Sequence, residues 1–251
     1  MISEYMELLI KFEHLKYNKE VCKIPKLQSI VPVHNFKAWA EFKSEDLYNS
    51  KYILYIDDKL EDKPDEFIDQ ILFHEFTHIV DSRRFLKFDL EKFQNMMNIY
   101  SEIHASQIQM NRLIKTEKSK PYSLDQEVIH GGILTLRSFM DQTYNRLKKE
   151  FSVPNVPFNK SNLRLNLKEL YYYVGYSKSL KNNNIIYNQN FSEINIFGNE
   201  FEKLYNYVLT EKVDSNILYE YDRNLTKLVK TTIETHNKSF INDIVNKIIN
   251  Q

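Results

Sequence analysis

In the run Phe73-His74-Glu75-Phe76-Thr77-His78-Ile79-Val80-Asp81, two histidines and a glutamate sit inside a segment whose apolar residues recur at helical spacing. On an α-helix, at about 100° per residue, His74 and His78 stand one turn and about 40° apart. Two imidazoles placed that way can reach one metal ion about 2.0 Å from each, which is the geometry of a zinc site. Glu75 lies beside His74, where a carboxylate can take a proton from a metal-bound water instead of ligating the metal, and it is the candidate general base. Ile68, Leu72, Phe76, Ile79 and Val80 fall on a different arc. The segment therefore reads as a helix with one core face and one polar site face.

Zinc in a catalytic site needs three protein ligands and one open position. A third histidine six residues after His78 would fall at position 84, which is Arg84, and Asp81 stands where the glycine of that long motif belongs. Glu102, in Tyr100-Ser101-Glu102-Ile103-His104-Ala105-Ser106, lies on a following helix after a connection long enough to bring that helix back against the first. Ala105 and Ser106, about one turn on, are small enough to let two helices approach closely. Glu102 is the chosen third ligand. Asp81 shares a face with His78 and is an alternative, more simply read as a carboxylate behind a ligand or as a partner for Arg84. His104 points about 200° away from Glu102 around its helix and reads as a packing histidine.

The surrounding chain predicts an α+β protein. Residues 3–17 carry Tyr5, Leu8, Leu9, Phe12 and Leu15 at helical spacing, and His14 on that helix reads as structural. Pro25 and Pro32 break helical continuation, and two strands follow, over residues 36–42 and 51–57, making a small sheet. An open edge of such a sheet could pair with an extended peptide. Pro64 with acidic neighbours opens the His74 helix, which runs to residue 84, and Asp89 caps a long helix to residue 115. Ser123-Leu124-Asp125-Gln126 resembles a capping box, opening a helix toward residue 150 with a bend at Gly131-Gly132. Beyond Pro154 and Pro157 come a helix over 161–179, a strand or loop through 185–197, and helices from Asn199 and Asp214. Residues 1–115 form the expected core, and 116–251 a helical part closing one side of the cleft.

Charge and composition exclude several partners. Lys+Arg and Asp+Glu both number 34 in 251 residues, so the basic footprint that nucleic acid requires is lacking. Cys22, the single cysteine, cannot form an internal disulfide or a second metal site. Glu4, Glu7, Lys11 and Glu13 interrupt any apolar stretch near the start long enough for a signal peptide or membrane span. A cytoplasmic protein with no membrane partner is expected. Four glycines among 251 residues suit helices joined by short connections.

With His74, Glu75, His78 and the downstream Glu102, residues 36–113 resemble the gluzincin class of zincin metallopeptidases. The resemblance implies a zincin-like fold: a small antiparallel-type sheet, a metal helix and a glutamate helix. It also implies a zinc-dependent endopeptidase acting on a protein or peptide substrate. The order of strand, metal helix and glutamate helix is also similar to the compact metallopeptidases of mobile elements and prophages, the ImmA/IrrE type. That group usually carries His-Glu-Leu-Gly-His, whereas here Phe76 and Thr77 stand between the histidines and a longer helical tail follows. Peptide hydrolysis needs a donor for the developing oxyanion; His130 is the chosen candidate, with Tyr122, Tyr144 and His236 behind it. Two other readings share the motif: an inactive zincin-fold module that binds a protein through its tyrosine-rich helical part around a structural metal, and a metalloprotease effector or toxin.

Overall fold

A computed structural model describes residues 27–33, 39–42, 52–57, 63–115, 121–130, 132–151, 160–197, 199–210 and 212–249. The helix expected over residues 3–17, with His14, and Cys22 lie outside these, as do Gly131 and the side chain of His236. Mostly helical, with two small sheets, the protein is α+β.

Strands β1 (Leu27–Val33), β2 (Trp39–Phe42) and β3 (Tyr52–Asp57) form a sheet in the order β1-β3-β2. The expected antiparallel pairing holds for β2 and β3, but β1 runs parallel to β3, so this sheet is mixed. No strand was expected at β1, where the prolines read as breaks. Pro32 nevertheless pairs in register with Ile56. An edge strand tolerates proline because its outward N–H is not needed by the ladder.

Helix α1 (Asp65–Phe85) starts after Pro64, with Asp65 and Glu66 in its first turn and Arg83 and Arg84 in its last, each sign matched to the helix dipole. Asp89 caps α2 (Leu90–Met96), its carboxylate accepting from the Lys92 N–H at 2.8 Å. The long helix expected from there is interrupted. Met97–Ser101 form a π-helical turn, and α3 (Glu102–Ile114) continues beyond it. Asp69 pairs with Arg112, His78 with Ser101 and Arg84 with Tyr100, an opposed order that sets α1 and α3 antiparallel.

The helix expected over residues 123–150 is half wrong. Gln126 does reach back to the Ser123 N–H at 3.0 Å, as in a capping box, but it closes a turn. Strands β4 (Glu127–Ile129) and β5 (Ile133–Thr135) then form an antiparallel hairpin, and α4 (Leu136–Phe151) begins after it. β-branched residues on both sides of a glycine pair favour the hairpin over a bent helix. His130 is therefore carried by a hairpin loop, its N–H donating to the Gly132 carbonyl at 2.9 Å.

Helix α5 (Lys160–Asn182) packs along α3. Glu102 meets Lys168, Gln109 meets Tyr176 and Asn111 meets Ser179, so these two helices run parallel. Gly175 permits the contact: a Cβ there would lie 2.3 Å from the Ile103 carbonyl oxygen and 2.8 Å from Ser106 Cβ. The small residue at 106 thus serves the approach of α5. Short 3-10 turns at Phe191–Glu193 and Asn195–Phe197 lead to α6 (Glu200–Thr210) and α7 (Ser215–Ile249). One core joins Ile103, Met110 and Leu113 to Phe139, Leu170, Phe197 and Leu218, and so spans residue 115. Among the described residues, no helix is long and apolar enough to cross a membrane.

Candidate metal centre

Helix α1 is buried on two sides. Leu72, Phe76, Ile79 and Val80 form the expected core face, while His74, Glu75 and Asp81 are buried as well, on a helix packed against α3 and with Tyr172 of α5 against His74. Apolar spacing put the first set together, and the polar set follows because it occupies the remaining arc.

His74, His78 and Glu102 converge. The Nε2 atoms of the two histidines are 3.1 Å apart, and Glu102 Oε2 lies 3.6 Å from His74 Nε2 and 3.3 Å from His78 Nε2. Glu102 is 3% exposed, and its Oε2 has no hydrogen-bond partner. A buried polar atom left that way costs roughly 1–3 kcal/mol, so a cluster of this kind calls for a ligand. Three donor atoms within 4.8 Å of one another, two of them imidazole nitrogens and one a carboxylate oxygen, fit a metal ion.

Two neighbours fix the set. Ser101 Oγ stands 2.7 Å from His78 Nδ1, so that nitrogen can donate to the hydroxyl and leave Nε2 free as the ligating atom. Ser101 and Glu102 address opposite sides of one imidazole, and the π turn that ends at Ser101 delivers them there. On the other side, Lys168 Nζ is 2.5 Å from Glu102 Oε1. Burial pushes the Glu102 carboxyl up, yet the nearby His78 and His74 imidazoles and the Lys168 ammonium outweigh it and hold the group well below its ordinary range.

Tyr172, one turn after Lys168 on α5, turns its ring edge to His74 with centroids 5.4 Å apart. Burial pushes its hydroxyl well above the ordinary phenol range, as do the charges of Glu102 and Glu75, so it remains an O–H donor. Neither Lys168 nor Tyr172 figured among the expected site residues. Both come from a helix distant in sequence, and only their mutual spacing of four was visible beforehand.

His130 is placed elsewhere. Its ring packs between Phe67 and Phe139, and Nδ1 is 3.4 Å from Gln70 Oε1, one turn before His74 on α1. Burial, with Arg146 nearby, lowers its pKa to about 4. Tyr144 donates to the Asn190 carbonyl, and Tyr122 packs against the core. Asp81 is not one of the three convergent groups: both its oxygens lie 3.0 Å from His104 Nδ1. Arg84, its other expected partner, donates to the Tyr100 hydroxyl at 2.5 Å. No protein-family model, curated protein or solved structure matches this chain.

Proposed function

We propose that the protein is a zinc-dependent metallopeptidase with a zincin-like core, in which His74, His78 and Glu102 hold the ion and Glu75 is the general base. One observation carries this reading. Corners of a tetrahedron whose centre is about 2.0–2.1 Å away are about 3.3–3.4 Å apart, and the three donor atoms stand 3.1, 3.3 and 3.6 Å apart. Two histidines and one glutamate are also a donor set that leaves a fourth position open.

Zinc held by His74, His78 and Glu102 would supply Lewis acidity, polarising a carbonyl and lowering the pKa of a water. Glu75 would be the residue to accept a proton from the attacking water and to return it to the leaving nitrogen of the peptide. Tyr172 is better placed than His130 to steady the developing oxyanion. Its ring packs edge-on against His74, with centroids 5.4 Å apart. Burial of Glu75 and Glu102 keeps competing water from the carboxylates.

Replacing Glu75 with Gln tests the assignment. Metal content of the purified protein should be unchanged, while cleavage of an unstructured protein, read as fragments by mass spectrometry, should fall by about 100-fold to 10,000-fold. Full activity in E75Q refutes the role.

A further inference from the structure

The two oxygens of Glu102 have different surroundings. Oε2 faces both histidines and has no hydrogen-bond partner, whereas Oε1 is 2.5 Å from the ammonium of Lys168. Glu102 is almost wholly buried, and the Lys168 side chain is 37% exposed, so the ammonium meets the carboxylate from the solvent side. Its other N–H donors remain available to water. The approach is built into the packing, because Gly175 lets α5 close on α3 at Ile103 and Ser106, two turns beyond Lys168.

A glutamate can bind a cation through one oxygen or through both. If both oxygens of Glu102 ligated, two histidines and one carboxylate would already fill four positions, and water could join only as a fifth ligand on a more crowded ion. A charge-assisted hydrogen bond from Lys168 occupies Oε1, and its positive charge opposes a metal ion moving toward that oxygen. We infer that Lys168 is a positioning residue that makes Glu102 a one-oxygen ligand and thereby keeps the site four-coordinate, with water as the fourth ligand. This rests on the metal site proposed above. The carboxylate supplies the ligand, and a cation from a helix 66 residues further along the chain decides how many of its atoms take part.

Cobalt(II) spectroscopy on the full chain separates the two ideas, because four-coordinate cobalt absorbs visible light more intensely than five-coordinate cobalt. The comparison uses wild type, K168M, which keeps the length of the stem without its charge, and K168R, which keeps a cationic donor. Circular dichroism establishes that each variant is folded, as the exposure of the Lys168 side chain leads one to expect. Wild type and K168R should show the intense four-coordinate bands, and K168M should lose them as the second oxygen of Glu102 binds. Zinc X-ray absorption on the same proteins should count one more oxygen in K168M. A wild-type spectrum that is already five-coordinate, or one unchanged in K168M, overturns the role of Lys168 and leaves the metal site standing. Wild-type protein that takes up no cobalt or zinc removes the metal site, and this inference with it.

Discussion

Two of the polar bridges between helices α1 and α3, at neighbouring turns, pair histidine with a carboxylate, and they differ in how their atoms are matched. Between Asp81 and His104 both carboxylate oxygens face the imidazole at 3.0 Å, and Tyr100 packs against the same ring. Between His74, His78 and Glu102, a buried carboxylate oxygen has no partner while two imidazole nitrogens crowd toward it. The first arrangement is complete as it stands and acts as a strut. The second leaves one oxygen unmatched, and a metal ion could complete it. Residue type alone would not separate them, since each combines histidine with a carboxylate; satisfaction of the atoms does.

Removing a member from each bridge should give opposite phenotypes. Glu102→Ala should weaken zinc binding by more than the roughly 10–100-fold carried by groups that merely touch a ligand, read by competition with a chromophoric chelator. Asp81→Ala should leave zinc stoichiometry intact but cost about 3 kcal/mol in urea unfolding, because a buried pair loses one partner. If Asp81→Ala abolished metal binding and Glu102→Ala only lowered stability, the distinction would be reversed. A smaller effect is expected at Ser101, whose hydroxyl orients His78. Ser101→Ala should weaken zinc binding by about 10-fold, with little change in unfolding.

The smallest effect is on pH dependence. Burial lowers the His104 pKa, but Asp81 outweighs it and the pKa is raised. A raised folded value means the folded state binds the proton more tightly than the unfolded chain does. The strut's contribution is thus fully present below the ordinary histidine pKa of about 6.5 and is lost as pH rises through the raised value. Stability measured from pH 6 upward should decline more steeply in wild type than in His104→Gln. Equal slopes would show that the pair carries no charge.

What the sequence made legible was what a single helix can encode. His74, Glu75 and His78 were identifiable because four-residue spacing fixes their relation within one element, and Asp89 was identifiable as a cap from its neighbours alone. Glu102 needed one further step, the return of the next helix. Lys168 and Tyr172 were not legible, because a parallel packing of α5 on α3 decides which side chains they meet. Gly175, the residue that allows that packing, looks in sequence like a weak point inside a helix. The hairpin was hidden by a different ambiguity: Ser123 and Gln126 make the same local contact in a turn as at a helix start. Val128-Ile129 and Ile133-Leu134 flanking the glycines were the signal that should have decided for strands.

The π turn at Met97–Ser101 makes this site depend on arithmetic as well as chemistry. A stretch of regular helix keeps its phase, whereas one wider loop of backbone resets the phase for everything after it. The carboxylate and the hydroxyl are aimed by a local count of residues, so a lineage could disarm the centre by losing one position upstream, with every ligand still present in its sequence.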